Sequence, residues 1–333
     1  MVDMQRIGVI GAGAWGTALA TVARRAGRDV TLWALEPEVT EAINSGCCNT
    51  VYLPDIALDP SISATGDLGR AAAADVILLV VPAQFLRSSC KNLAPHIKVG
   101  TPVVICAKGI ERGTSALMTD VVLETLPTAT IMVLSGPTFA REVASGRPTA
   151  ITLAAADKSF GLRVAAALSS PTFRPYLSDD VIGAEVGGAV KNVLAIGCGM
   201  TEGKGLGANA RAALLTRGLA EIVRLSVARG GRAETLMGLS GLGDLVLTAT
   251  SSQSRNYSLG VALGEGKSLN EVLGARRSVT EGVATAEAVA SLAAKLKVDM
   301  PICAAINQVL NHSAAIDDML KGLLNRPLRH EVD

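Results

Sequence analysis

The stretch Arg6-Ile-Gly-Val-Ile-Gly11-Ala-Gly13-Ala-Trp-Gly16-Thr-Ala-Leu-Ala20 decides how the chain folds. Its run Ile7–Ile10, rich in β-branched residues, has the length of a buried strand, and a helical stretch over 17–26 follows the glycines. Between them lies Gly11-x-Gly13-x-x-Gly16, the turn of a dinucleotide-binding strand–turn–helix unit. Gly11 permits the tight turn, Gly13 lets backbone amides approach a pyrophosphate with no Cβ between, and Gly16 lets the helix lie close on the strand. The phosphate charge then sits on the unpaired N–H groups that open the helix. The same residues admit a secretory-signal reading, because 7–23 carry no charge, Arg6 precedes them and an Ala-x-Ala step lies inside. Four glycines make that a poor apolar helix, and a second strand, Val30–Trp33, follows Arg24-Arg25. Cleavage would also delete the first strand of a continuous α/β pattern.

With 333 residues there is room for two domains. Lys plus Arg number 31 against 30 for Asp plus Glu, so no general attraction to nucleic acid or anionic lipid exists and an anionic ligand must be held by local groups. Aromatic residues make up 3%, too few for base-stacking platforms. The mean hydropathy of +0.38 is high. It comes from Ala, Val, Leu and Gly in short stretches, as in strands covered on both faces, and no long apolar run free of glycine and charge predicts membrane insertion. The six cysteines show no CxxC and no Cys/His ligand spacing, so no metal is expected and the thiols read as free in a reducing cytoplasm.

Strand-like and helix-like stretches alternate through the first half. Asp75–Val81, Pro102–Ala107, Thr130–Leu134 and Ala150–Leu153 read as strands, with Phe173–Tyr176 as an edge. The expectation is a Rossmann-type, doubly wound, mostly parallel sheet over 1–180. Ligands of such sheets lie beyond the carboxyl ends of the strands, which is where Lys108 and the turn Gly136-Pro137-Thr138 fall. After residue 180 the period becomes helical, over Ala184–Ala195, Ala210–Ala228, Ala284–Lys297 and Ile302–Leu324, which predicts an all-helical domain over 181–333.

That second part holds four polar sets in apolar surroundings. Lys191 and Asn192 sit in a helix apolar over most of its surface. The lysine either reaches solvent along its alkyl stem or is a partly buried ammonium whose lowered pKa suits acid–base chemistry. Asp244 follows Gly241-Leu-Gly243 and precedes an apolar helix, so it either caps that helix or orients a buried lysine. Ser252-Gln-Ser254-Arg255-Asn256 reads as a polar loop, solvated or binding phosphate through the planar Arg255 fork with Ser254 and Asn256 as neutral donors. Glu281 either favours a helix start or accepts from a ribose or carboxamide.

Taken in order with the first-half motifs, these sets resemble bacterial NAD(P)-dependent glycerol-3-phosphate dehydrogenases over essentially the whole length. The resemblance rests on 11–20, Ala107-Lys-Gly-Ile-Glu111, Leu134-Ser-Gly-Pro-Thr-Phe-Ala140 and Glu142. It continues through Gly187-Gly-Ala-Val-Lys-Asn192, residues 207–213 and 216–221, Gly241-Leu-Gly-Asp244 and Ser254-Arg-Asn256. It implies a helical domain like that of 6-phosphogluconate dehydrogenase. It implies that Lys191 is the general base that takes the C2 hydroxyl proton while hydride leaves for NAD or NADP, and that in reverse it protonates the oxygen of dihydroxyacetone phosphate. Lys108 would touch substrate and cofactor and help hold the Lys191 pKa down. Gly136, Thr138, Asp244, Ser254, Arg255 and Asn256 would bind substrate with them. Gly11, Gly13, Ala14, Trp15, Gly16, Leu35, Ala140, Arg255, Val279 and Glu281 would lie against the dinucleotide. A cytoplasmic homodimer supplying glycerol 3-phosphate for glycerophospholipid synthesis is expected, with a small molecule as its substrate and no nucleic-acid partner.

Two departures stand out. Many relatives carry a cation just after the second strand, where it meets the 2′-phosphate of NADP, whereas this chain has Ala34-Leu35-Glu36. Glu36 repels a phosphate, yet no Asp ends the strand at position 34, so the preference leans to NAD without being fixed. Ala14 also stands where serine is common, leaving a backbone donor only. A related hydroxyacid or 6-phosphogluconate dehydrogenase would require a carboxylate-binding set in place of Ser254-Arg255-Asn256. A dinucleotide sensor without catalysis would be expected to have lost one of Lys108, Lys191 or Asp244, and all three are present.

Overall fold

The computed structural model describes residues 4–275, 280–328 and 330–331. Its strands are β1 (Arg6–Ile10), β2 (Asp29–Trp33), β3 (Cys48–Asn49), β4 (Leu53–Ala57), β5 (Ser63–Thr65), β6 (Val76–Leu79), β7 (Pro102–Ile105), β8 (Thr130–Ser135), β9 (Thr149–Ala155) and β10 (Phe173–Ser178). Eight of them form one sheet in the order β10-β9-β8-β7-β6-β1-β2-β5. Every pairing in it is parallel except β8 with β9. The chain winds outward from β1 through β2 to β5, then returns to β6 on the other side of β1 and winds the opposite way to β8. The crevice at that reversal is where ligands of such sheets bind. The glycine turn opens there: a Cβ on Gly11 would come within 2.9 Å of the Val80 backbone just past β6.

β6 and β7 are buried along their full length, as strands covered on both faces must be. Leu19 of the helix Ala14–Arg25 and Val164 of Lys158–Leu168 belong to the core on one face. Leu86 of Leu86–Leu93 and Val121 of Met118–Thr125 belong to the core on the other.

After β10 the described chain is helical, around a third apolar core. The helix Val181–Gly203 runs through its middle, capped by Asp180, whose Oδ1 accepts from the Gly183 N–H at 2.8 Å. This helix is long and apolar enough to cross a membrane by length and composition, but 89% of its apolar window is buried inside the protein. The buried Glu185 ties it to the helix Met118–Thr125 on one face of the sheet, accepting from the backbone N–H and hydroxyl of Thr119 at 2.9 and 2.6 Å. Burial pushes this carboxyl up to about 7, against the hydrogen bonds from Thr119.

The glycines of this helix do not end it, because they serve as its contact face. A Cβ at Gly199 would lie 2.1 Å from the Tyr257 carbonyl, and one at Gly260 would lie 2.0 Å from the Ile196 carbonyl. The helix Arg255–Gly264 is thereby pressed backbone to backbone on Val181–Gly203, which fixes Ser254–Asn256 relative to Lys191.

The structure departs from the sequence reading in three places. The helix Pro37–Gly46, the hairpin β3–β4 and the short β5 fill what the sequence left without elements. The helix expected over Ile302–Leu324 is two, Pro301–His312 and Ile316–Leu324, because Ser313 takes a left-handed φ of +57°. The stretch 238–243, which its glycines mark in sequence as a turn between helices, is itself a wide helical turn over Leu239–Gly243 that delivers Asp244.

Candidate active site

Two lysines from distant parts of the chain meet on one carboxylate. Lys108 follows β7, and its Nζ donates to the Gly136 carbonyl at 2.9 Å and to Asp244 Oδ2 at 2.7 Å. Lys191 lies mid-way along Val181–Gly203, and its Nζ donates to Asp244 Oδ1 at 2.6 Å and to Thr248 Oγ1 at 2.7 Å. The Asp244 side chain is 1% exposed, against 12% for Lys108 and 7% for Lys191. Lys191 therefore does not reach solvent. Asp244 does not cap its helix either: Gly243 holds the cap position of Asp244–Ala249, and each carboxylate oxygen is given to one ammonium.

Burial lowers the Lys191 pKa to about 8. The Asp244 charge opposes that fall and the Lys108 charge adds to it. A lysine poised near neutral pH can both take and return a proton. Two cations on one anion also leave a surplus positive charge in a dry site, suited to an oxyanion developing nearby.

A second layer surrounds this bridge. Asn256 donates to Asn192 Oδ1 at 2.9 Å and accepts from the Gly282 N–H at 3.1 Å, while Asn192 donates to the Lys108 carbonyl at 3.3 Å. Glu281 opens the helix Glu281–Leu296, and its carboxylate accepts from the Ala83 N–H at 3.2 Å, just past β6. The charges of Arg255, Lys108 and Lys191 all act on it. Thr138 Oγ1 donates to the Gly136 carbonyl, the acceptor of Lys108, at 3.2 Å. The loop reading of Ser254-Arg255-Asn256 is corrected. Ser254 is an N-cap whose Oγ accepts from Tyr257 N–H at 3.2 Å, and Arg255 and Asn256 form the first turn of the helix. Ser-Arg-Asn before an apolar run was a capping signal.

At the glycine turn, Gly13 is the N-cap of Ala14–Arg25 and no side chain caps that helix. A Cβ on Gly16 would lie 1.8 Å from the Gly11 carbonyl, so close packing demands glycine there. A Cβ on Gly13 would meet nothing within 4 Å, so its smallness leaves room for a ligand rather than for the protein. The Trp15 Nε1 is buried without a hydrogen-bond partner among the described residues, and Ala14, Trp15 and Ala140 pack on the same core. Orphaned helix N–H groups, free space over Gly13 and an unpaired indole donor fit a dinucleotide pyrophosphate.

Leu35 stands apart from the lysines, past the end of β2, on the far side of β1 from β7. It is 74% exposed and lines a cleft of about 280 Å³ with Ala34, Pro37, Thr40, Glu41 and Gly66. Glu36 beside it accepts from the Tyr52 hydroxyl at 2.8 Å. Val279 lies outside the described residues.

Sequence reasoning missed Thr248 as a partner of Lys191 and gave Asn192 no role. Thr248 was within reach of it, four residues past Asp244 and so on the same helical face.

Comparison with known proteins decides the family. The profile described as "NAD-dependent glycerol-3-phosphate dehydrogenase N-terminus" matches residues 6–161, and the corresponding C-terminus profile matches residues 180–321. The chain belongs to this family. Among glycerol-3-phosphate dehydrogenases (NAD(P)+), that of Rhodospirillum rubrum is 60% identical over 98% of this chain and 94% of the relative. That of Caulobacter vibrioides is 57% identical over 99% and 100%. The crystal structure of a glycerol-3-phosphate dehydrogenase from Coxiella burnetii superposes with a TM-score of 0.93 at 39% identity, over 97% of this chain and 99% of that one. The glycerol-3-phosphate dehydrogenase fold expected from sequence, a Rossmann-type sheet followed by helices like those of 6-phosphogluconate dehydrogenase, is the fold observed.

Proposed function

We propose that the chain catalyses reversible hydride transfer between sn-glycerol 3-phosphate and NAD or NADP, giving dihydroxyacetone phosphate. The observation that carries this reading is the Lys108–Asp244–Lys191 bridge, a buried lysine with a pKa near 8 held beside a second cation. Lys191 takes the proton of the C2 hydroxyl in oxidation and returns it to the C2 oxygen in reduction. The nicotinamide, when bound, accepts or supplies the hydride at C2. Asp244 orients Lys191 and keeps two ammoniums compatible in one site. Lys108 stabilises the charge that develops on the C2 oxygen and holds down the pKa of Lys191. Arg255 and the N-terminus of its helix, with Ser254 and Asn256, bind the substrate phosphate, and Gly136 and Thr138 complete the substrate site.

The dinucleotide lies over Gly11, Gly13, Ala14, Trp15 and Gly16, with Leu35 at its adenosine end and Lys108, Ala140, Arg255, Val279 and Glu281 along its length. Glu36, Glu38 and Glu41 make the end of β2 acidic, which disfavours a 2′-phosphate, so NAD is the preferred form. We read 1–180 as the dinucleotide domain and 181–333 as the substrate domain of a cytoplasmic homodimer. Its product is the backbone for glycerophospholipid synthesis.

The test is to mix purified protein with dihydroxyacetone phosphate and follow NADH and NADPH oxidation separately. Turnover with both, and a kcat/KM about tenfold higher for NADH, is expected from one unfavourable charge–charge contact in the ribose pocket. No turnover with either would overturn the reading, and a preference for NADPH would overturn the role given to Glu36.

A further inference from the structure

The hairpin β3–β4 reaches back to the glycine turn through one buried side chain, Asn49, which is 0% exposed. Its Nδ2 donates to the Ala12 carbonyl and to Thr17 Oγ1, both at 2.8 Å, and its Oδ1 accepts from the Tyr52 N–H at 3.0 Å. Both amide hydrogens are thus used, and the Tyr52 contact fixes which way the amide faces. Thr17 donates to the same Ala12 carbonyl at 3.4 Å. Two side chains, one from the hairpin and one from the helix, therefore converge on a single carbonyl between Gly11 and Gly13.

The Ala12–Gly13 peptide joins a glycine to an alanine that itself follows Gly11, so side-chain sterics do little to fix its orientation. In a trans peptide the carbonyl of residue 12 and the N–H of residue 13 point in opposite directions. Holding the carbonyl inward on Asn49 and Thr17 thus turns the Gly13 N–H away from them, and a Cβ on Gly13 itself would meet no protein atom within 4 Å.

We propose that Asn49 is a positioning residue for the dinucleotide: by anchoring the Ala12 carbonyl it aims the backbone N–H groups of the glycine turn at the cofactor pyrophosphate. The inference rests on the dinucleotide-binding reading of that turn. Asn49 touches neither Lys108, Lys191 nor Asp244 through any hydrogen bond among the described residues, so it acts on cofactor binding and leaves the proton transfer alone. A glycine turn without the anchor would have to lose peptide-flip freedom on binding, and would bind the pyrophosphate more weakly.

The test is steady-state kinetics of the full-length protein with dihydroxyacetone phosphate and NADH, comparing wild type with Asn49→Ala. The expected result is a KM for NADH raised about tenfold, with kcat at saturating NADH and the KM for dihydroxyacetone phosphate each within about twofold, the size of effect that follows from losing one buried hydrogen-bonded anchor. Asn49→Asp has the same size and keeps the acceptor for Tyr52, but presents an oxygen to the Ala12 carbonyl, so it is expected to raise the KM for NADH as well. A purely structural side chain would lower the melting temperature and leave this split flat, and an unchanged KM for NADH in a folded variant overturns the assignment. So would failure of both variants to fold, which would make Asn49 a folding residue. A wild type that binds no NADH removes the dinucleotide reading and this assignment with it, whereas a wild type that binds while Asn49→Ala binds equally well removes only the assignment.

Discussion

Lys191→Ala is expected to lower kcat by about 10³–10⁴-fold, the combined scale of a lost proton donor–acceptor and a lost charge at the developing oxyanion. The fold should survive the change. Asp244 keeps Lys108 at 2.7 Å and the Thr248 hydroxyl at 3.4 Å, so no buried carboxylate is left without a partner. Among the described residues the hydrogen bonds of the Lys191 ammonium go to Asp244 and Thr248 and not to the glycine turn, so the KM for the dinucleotide should change little. Measuring kcat, both KM values and the thermal unfolding of the variant checks all three statements. A variant with nearly normal kcat would move the acid–base role to Lys108, the other ammonium on Asp244.

Asp244→Asn is expected to be nearly as damaging for a different reason. The substitution keeps the shape and removes the charge that neutralises two buried ammoniums 2.6 and 2.7 Å away. An asparagine offers one acceptor oxygen, and its amide nitrogen then faces a lysine that is itself a donor. Removing one partner of a buried ion pair costs about 3–5 kcal/mol when the remaining charge stays. Here part of that cost is avoidable, because Lys191 can shed its proton. The Asp244 charge is what raises the Lys191 pKa against burial, so without it the value falls below about 8. Loss of kcat by about 10²–10³-fold, the scale of a misplaced preorganised group, is therefore expected together with an acid-shifted pH profile. Denaturant unfolding and kcat against pH read the two effects separately. Unchanged pH dependence would mean that Asp244 acts only as a packing group.

The unequal legibility of this fold in its sequence has a physical basis. The glycine turn could be read because each glycine answers a local demand, namely a turn, a close helix–strand approach or space for a phosphate. The strands at 76–79 and 102–105 could be read because a strand buried on both faces has few residue types to choose from. The hairpin β3–β4 could not: it pairs over Cys48–Asn49 and Leu53–Ala57 only, with no alternation long enough to register. Asn49 was hidden for the same reason, since its partners Ala12 and Thr17 are more than thirty residues away. The break at Ser313 arises in a stretch whose apolar spacing continues across it, so periodicity carried the helix too far.

The site was legible unevenly as well. Lys191 in an uncharged helical run signalled either burial or escape along its stem, and spacing alone could not choose between them. What decides is tertiary packing. A Cβ at Gly187 would lie 2.5 Å from the Ser240 carbonyl, so the turn that delivers Asp244 packs tightly on this helix. Asp244 and Thr248 then close on Lys191, an effect that single-helix patterns do not carry. For Asp244 the sequence allowed either a helix cap, as an acidic residue after a glycine pair often is, or a carboxylate orienting a buried lysine. The turn at Leu239–Gly243 rotates it inward to the lysines.

The most direct test of the central claim, that a buried Lys191 held by Asp244 and Lys108 moves the proton, is the pH dependence of kcat/KM in both directions, which reports groups of the free enzyme. Burial depresses the Lys191 pKa to about 8 in the free enzyme, so the neutral amine dominates above that pH and the ammonium below it. Glycerol 3-phosphate oxidation needs the neutral amine, and its kcat/KM should rise through pH 8 to a plateau. Dihydroxyacetone phosphate reduction needs the ammonium, and its kcat/KM should be flat below pH 8 and fall above it. Mirror-image limbs meeting near pH 8 are the predicted result. A reduction rate that stays level until the pH of an ordinary lysine, about 10.4, would contradict the account.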